Sequence, residues 1–258
     1  MILRRLAEMS LGRIPRVRRL PEPYGRARLV VNGTVGGLKY LLKPARQWDP
    51  ELLRVAEALV QKGNVVWDVG ANVGLFAAAA SVAAGQTGRV VAVEADFDAV
   101  AMLQKTQRWL SRAEAGGLAP VTVLPVAVSD HCGFIEFAIA RRARAANSIV
   151  GMGSTQTGGT LETRTVPCVT LDALLQWFPP PDVLKIDVEG AESLVLAGAS
   201  RLLADVRPRI YCEVSSNSAE HVTMLLKNAR YRLWDGATFG VTERPALDLA
   251  TFNTVALP

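Results

Sequence analysis

VVWDVGANVG, residues 65–74, is the stretch on which the reading of the whole chain turns. Val65, Val66 and Trp67 form a short apolar run that breaks at Asp68, and Gly70, Asn72 and Gly74 follow within six positions. From Leu75 to Ala84 the chain is alanine-rich and helical in pattern, and Gly85 stops it. A strand entering a glycine-containing turn that leads into a helix lets the backbone approach a ligand, with the helix N-terminus facing it. A dinucleotide fingerprint needs glycines at the first, third and sixth positions. Counted from Gly70, those positions hold Gly70, Asn72 and Leu75, so the match fails. Asp68 would repel a pyrophosphate and suits a cationic ligand end, an ammonium or a sulfonium.

A rhythm sets in around this stretch. Apolar strands are expected at 65–70, 89–95, 121–128, 182–188 and 209–214, with helices at 75–84, 98–110, 191–196 and 221–229 between them. Strands that are apolar throughout and alternate with helices predict a parallel sheet covered on both faces. Pro125 puts the third strand at a sheet edge, because proline cannot donate to a ladder on both sides. Residues 231–236 and 251–258 read as two closing strands. Upstream, Asp49 and Pro50 supply a cap and a first-turn proline for a helix over 51–60. Residues 24–43 read as a hairpin, with apolar stretches flanking Asn32-Gly33 and Gly36-Gly37. Residues 133–169 form an insert with a Gly/Ser/Thr-rich stretch, the kind of long loop that carries function in compact domains.

Ligands of open parallel sheets bind at the C-terminal strand ends, where strand order reverses. Two further segments place carboxylates there. Glu94 ends the second strand twenty residues after Gly74, where a carboxylate accepts both hydroxyls of a ribose. KIDVEGAE, residues 185–192, places Asp187, Glu189 and Glu192 where an apolar run ends. In a strand, Lys185, Asp187 and Glu189 share one face, and Lys185 is expected to pair with a carboxylate such as Asp187.

VWDVGANVG, VVAVEAD, LPVAVSD, VPCVTLDAL, VLKIDVEGAE and IYCEV, in this order, resemble the FkbM-type S-adenosylmethionine-dependent methyltransferases, over about residues 48–258. The resemblance implies an α/β class I methyltransferase, Rossmann-like, with a seven-stranded, mainly parallel sheet and an antiparallel last strand. It divides the chain into a basic N-terminal extension with a β-hairpin, 1–47, and the methyltransferase domain, 48–258. Carried over residue by residue, Asp68, Gly70, Asn72 and Gly74 surround the methionine part of S-adenosylmethionine and Glu94 holds its ribose. Ala127, Ser129 and Asp130 flank the adenine, and Asp187 lies beside the sulfonium. The family's pattern implies O-methylation of a hydroxyl on a natural product, sugar or glycan. The alternatives are an N-methyltransferase and a catalytically silent cofactor-binding interaction module.

An alcohol loses its proton on methylation, so a base assists by roughly 10²–10⁴-fold. Asp187 is the first candidate, His131 the second and Lys185 the third. Arg141, Asn147 and Ser148 in the insert are candidates for holding the acceptor, and Arg141, Arg142 and Arg144 could face a phosphate or carboxylate. Asp187, Glu189 and Glu213 supply hard oxygen ligands should a Mg²⁺ be used. The favoured reading has no metal, because Glu189 and Glu192 complement a helix start through its dipole.

Composition bounds the partners. The chain has 258 residues, half of them hydrophobic, and a net charge of +5, much of it in the first nineteen residues. Cys132, Cys168 and Cys212 form neither a disulfide framework nor a zinc ribbon, which suits a reducing cytoplasm. The basic balance permits anionic partners, but a nucleic acid is not expected. Ile2, Leu3, Leu6 and Met9 recur at helical spacing among arginines, as in a helix that packs on its own domain, lies on a membrane surface or joins two copies in a homodimer.

Overall fold

The computed structural model describes residues 14–33, 35, 39–112, 116–140, 147–152, 159–241 and 246–258. The N-terminal helix expected around Ile2–Met9 and the candidates Arg141, Arg142 and Arg144 lie outside these residues.

Chain order runs through the hairpin strands β1 (Arg16–Arg19) and β2 (Arg28–Val31), helices α1 (Lys39–Leu42) and α2 (Pro50–Leu59), then β3 (Val65–Val69), α3 (Leu75–Ala84), β4 (Arg89–Val93), α4 (Phe97–Leu110) and β5 (Val121–Leu124). β6 (Ala127–Val128) follows, and then the insert, with β7 (Gly133–Ala140), β8 (Ser148–Ile149) and β9 (Thr160–Val169). Next come α5 (Leu171–Leu174), β10 (Val183–Ile186), α6 (Glu192–Ala197), a π-helical turn (Leu202–Val206), β11 (Arg209–Glu213), α7 (Ala219–Asn228), β12 (Arg232–Asp235) and β13 (Asn253–Leu257).

The main sheet has seven strands in the order β12-β13-β11-β10-β3-β4-β5. Every described pairing in it is parallel except those of β13, which runs antiparallel to both β11 and β12. Strand order therefore reverses between β3 and β10, and this is the expected class I arrangement. Side-chain alternation builds a core on each face. Val66, Val90 and Val183 pack under α2, α3 and α4, while Trp67, Val69, Leu184 and Ile186 pack under α6 and α7. The described residues among the first 47 share the first of these cores, through Leu20, Tyr24, Leu29 and Tyr40.

Three expectations shift. The hairpin turns earlier than Asn32-Gly33: Arg16 pairs with Val31 and Arg19 with Arg28, so the reversal lies in residues 20–27. Pro21 and Pro23 end the ladder there by removing donors, and residues 39–42 are helical. Asp49 precedes α2 but makes no side-chain cap; its carboxylate takes Lys39 Nζ at 2.7 Å and Tyr40 Oη at 3.2 Å. The strand expected at 121–128 splits at Pro125. β5 is the sheet edge, and β6 leaves to join the four-stranded insert sheet, β6-β9-β7-β8.

Glu192 also differs from a simple dipole complement. It opens α6 but is buried; Oε1 accepts from Gly190 N at 2.6 Å, and Oε2 accepts from Ser218 Oγ at 2.6 Å and Ser215 Oγ at 3.0 Å. Glu189 lies outside the helix, at φ 51°. Glu192→Ala strands those buried donors and is expected to cost about 2–3 kcal/mol. Urea denaturation checks this, and an unchanged midpoint would remove Glu192 as the clamp between the β10–α6 turn and the loop after β11.

Candidate active site

The C-terminal ends of β3 and β10 converge on one buried cation. Lys185 stands opposite Asp68 in the parallel register. Its Nζ lies 3.2 Å from Asp68 Oδ1 and 3.3 Å from Asp187 Oδ2, and donates to Gly70 O at 2.7 Å. Burial works against the ammonium, but Asp68, Asp187 and Glu213 outweigh it and raise its pKa. Burial also raises the pKa of Asp68, with Lys185 pulling the other way. The Asp68 contact is a charge pair without hydrogen-bond alignment.

Gly70, at φ 74°, is dictated by close approach: a Cβ there would fall 1.7 Å from Asp187 O. Asn72 takes a left-handed φ of 52°. Its N–H donates to Glu94 Oε2 at 2.7 Å, while Asp96 N donates to Glu94 Oε1 at 2.7 Å. Burial nonetheless pushes the Glu94 carboxyl up to about 7, the two amides opposing it.

A cleft of about 630 Å³ opens in front of these groups. Gly70, Asn72 and Glu94 form one wall, Val126, Ala127 and Val128 another, and Phe137, Asn147 and Ile149 of the insert the roof. At Asp187 and Glu189 it meets a second cleft of about 750 Å³, lined further by Glu213, Ser215, Asn217 and Phe252. Burial and the neighbouring Asp187 push Glu189 up to about 7 and Glu213 up to about 8.

The sequence candidates divide accordingly. Gly70, Asn72, Glu94, Ala127, Asn147 and Asp187 line the first cleft. Asp68 and Lys185 are buried behind it, and Gly74 (φ 93°) packs toward Leu103 instead. Ser129 and Asp130 sit away from the lining, with Ser129 Oγ donating to Asp130 Oδ1 at 3.1 Å. His131 Nδ1 lies 2.8 Å from that same carboxylate oxygen, which holds the exposed Asp130 below its ordinary pKa. His131 is therefore turned to its neighbour rather than into either cleft. Ser148 is buried in β8 opposite Ala138. Asp187, Glu189 and Glu213 share the second cleft, but among the described residues no three His, Cys, Asp or Glu side chains are grouped to hold a metal ion.

Phe137, Ile149 and Asp96 went unrecognised in the sequence. Asp96 is legible there only as the N-cap of α4, a role it does fill by accepting from Asp98 N at 3.0 Å. Alternation along β7 was the available signal for Phe137, but nothing local says which cavity that face covers.

Residues 68–233 match the family model of the methyltransferase FkbM domain. The chain is 28% identical over 186 residues to the hexuronic acid methyltransferase AglP of Haloferax volcanii, covering 70% of this chain and 69% of that protein. Among solved structures, a methyltransferase FkbM from Methylobacillus flagellatus aligns with TM-score 0.47 and 12% identity. That alignment covers 80% of this chain and half of the other. A SAM-dependent O-methyltransferase from Thermotoga maritima aligns with TM-score 0.45 and 15% identity, over 81% of this chain and 64% of the other.

The charge pair yields a stability prediction. Lys185→Met leaves Asp68 buried without its cation and is expected to cost about 3–5 kcal/mol. Adding Asp68→Asn should recover part of that loss in denaturant titrations; equal costs for the single and double variants would show that the pair is not coupled.

Proposed function

This chain belongs to the FkbM methyltransferase family, and from that premise we propose that it is an S-adenosylmethionine-dependent O-methyltransferase acting on a hydroxyl of a small molecule, with a sugar or glycan as the favoured acceptor. The observation that carries the reading is the meeting of two clefts at Asp187 and Glu189. One suits a nucleoside-bearing cofactor and the other a hydroxylated acceptor. The curated relative that acts on a hexuronic acid supports a sugar as acceptor.

The residues present fit the cofactor. Glu94 ends β4 with both oxygens already oriented by backbone amides, leaving lone pairs for two ribose hydroxyls. Ala127, Val128, Phe137 and Ile149 offer apolar surface for the adenine. Asp187 and Glu189 favour a positive charge at the junction, and the Gly70–Asn72 turn would hold the methionine end. When bound, the cofactor supplies a methyl group already activated by positive sulfur.

The protein's own work is alignment and proton handling. Fixing an acceptor oxygen in line with a methyl group can supply about 7–11 kcal/mol of the barrier. Asp187 is the partly exposed carboxylate at the junction of the clefts, and Lys185 holds its Oδ2 from behind. The remaining oxygen is the acceptor for the proton that the substrate hydroxyl gives up. Glu213, Ser215 and Asn217 provide hydrogen-bond partners for the other hydroxyls of a polyol. The carboxylates of the second cleft also suit an ammonium group, which is the observation favouring N-methylation as the second reading.

Radiolabelled methyl transfer to matched hydroxyl and amine acceptors separates the two readings, and transfer only to the amine overturns O-methylation. Asp187→Asn is expected to lower kcat by roughly 10²–10⁴-fold with cofactor affinity within a few-fold; full activity would remove Asp187 from the chemistry. A pH dependence follows from Glu94, whose carboxyl is raised to about 7. Ribose hydroxyls donate to the ionised form, so binding favours proton loss and cofactor affinity should rise with pH through 7. Calorimetry of wild type against Glu94→Gln from pH 6 to 8 checks the sign: the rise should be smaller in the variant, with ionisation of Glu189 supplying the remainder, and a rise undiminished there would assign it elsewhere.

A further inference from the structure

The insert sheet is fastened to the cofactor cleft at two points that its role as a flexible loop would not require. Asn147 is more than nine-tenths buried and has both ends of its amide engaged. Oδ1 accepts from Ala140 N at 2.8 Å, and Nδ2 donates to Asp96 Oδ2 at 2.8 Å. Arg164, on β9, places Nη1 3.1 Å from Asp96 Oδ1 and Nη2 3.2 Å from Asp98 Oδ2, and also pairs with Glu162. Asp96 thus takes a bond from each of two insert segments. Its backbone N–H donates to Glu94 Oε1, and the other Glu94 oxygen takes Asn72 N. An unbroken chain of bonds runs from the insert through Asp96 and Glu94 to the turn after β3. The same insert supplies Phe137 and Ile149 to the cleft roof, and Phe137 packs with Ala95 and Ala127, which line the floor and wall.

We propose that Asn147 and Arg164 are positioning residues for the adenosyl end of the cofactor: they pin the insert as the roof of the cleft and, through Asp96, set the Glu94 carboxylate. Asn147 therefore acts on the cofactor side, where its amide works through Asp96, rather than as an acceptor contact. Arg164 neutralises the acidic pair at the start of α4, so that Asp96 can lie buried beside Glu94. This rests on the cofactor reading above but does not depend on the acceptor or on the atom methylated.

Because the pins act on the half of the cofactor that survives the reaction, S-adenosylmethionine and S-adenosylhomocysteine should be affected alike. Calorimetry with both ligands tests this on Asn147→Ala, Arg164→Ala and Arg164→Lys. A stability control is Leu226→Ala, a fully buried position in the opposite core. Asn147→Ala is expected to raise both dissociation constants about tenfold, which is the scale of one buried hydrogen bond. Arg164→Ala should do the same, Arg164→Lys should regain part of the affinity by keeping a cation at Asp96, and Leu226→Ala should leave both constants unchanged. Unchanged affinity in a folded Asn147→Ala protein overturns the proposal, as does a loss matched by Leu226→Ala or one confined to S-adenosylmethionine. Wild-type protein that binds neither ligand would sink the cofactor reading itself, a result distinct from any of these.

Discussion

The constraint on which the rest of the site depends is the confinement of Lys185. Its ammonium is buried at the centre of a parallel sheet and must find compensation on the spot, because a lone interior charge is prohibitive. Compensation comes from two strand ends at once: Asp68 across the register and the carbonyl of Gly70 at the end of β3, and Asp187, two residues on, at the end of β10. Those three contacts tie the turn after β3 to the turn after β10, the two segments on either side of the reversal in strand order. The absence of a side chain at Gly70 completes the arrangement, since the two backbones meet where a Cβ would stand. A ligand cleft results because these turns are locked to each other and cannot close over the gap beside them.

Acidic groups dominate the space so defined. Glu94, Glu189 and Glu213 are all held above their ordinary range, first by burial. Among the described residues near them, Lys185 is committed to the strand ends and Lys39 to Asp49. A cationic cofactor end relieves this crowding, which is the electrostatic counterpart of the loop chemistry that excluded a pyrophosphate. Lys185 is accordingly an organiser of Asp68 and Asp187 and lies buried behind the cleft.

Much of this was legible in the residues. Apolar strands alternating with helices implied the parallel sheet, and the bounds of α3 and of β3 emerged nearly residue for residue because a glycine or a charge ends each of them. Pro125 marked the edge strand, though it does so by breaking the strand in two. The hairpin was misplaced because Asn32-Gly33 is a strong local turn signal, while the pairing is settled by Pro21 and Pro23 and by packing of Leu29 and Val31 into the core. Glu192 looked like a helix-dipole residue because its serine partners lie more than twenty positions away.

By itself, the sequence determined the layer architecture, the turn at 68–74, and the carboxylates at the ends of β4 and β10, since these depend on period, glycine placement and the cost of charge at a strand terminus. Tertiary structure alone decided which of those groups line the cleft. Asp68 and Glu94 each end a neighbouring strand, yet one is sealed behind Gly70 and the other lines the cleft. Asn147 reaches Asp96 across 51 positions of chain, and His131 turns aside to Asp130. Direction of a side chain at a strand end is set by what packs against it, and those neighbours come from segments whose distance in sequence carries no local signal.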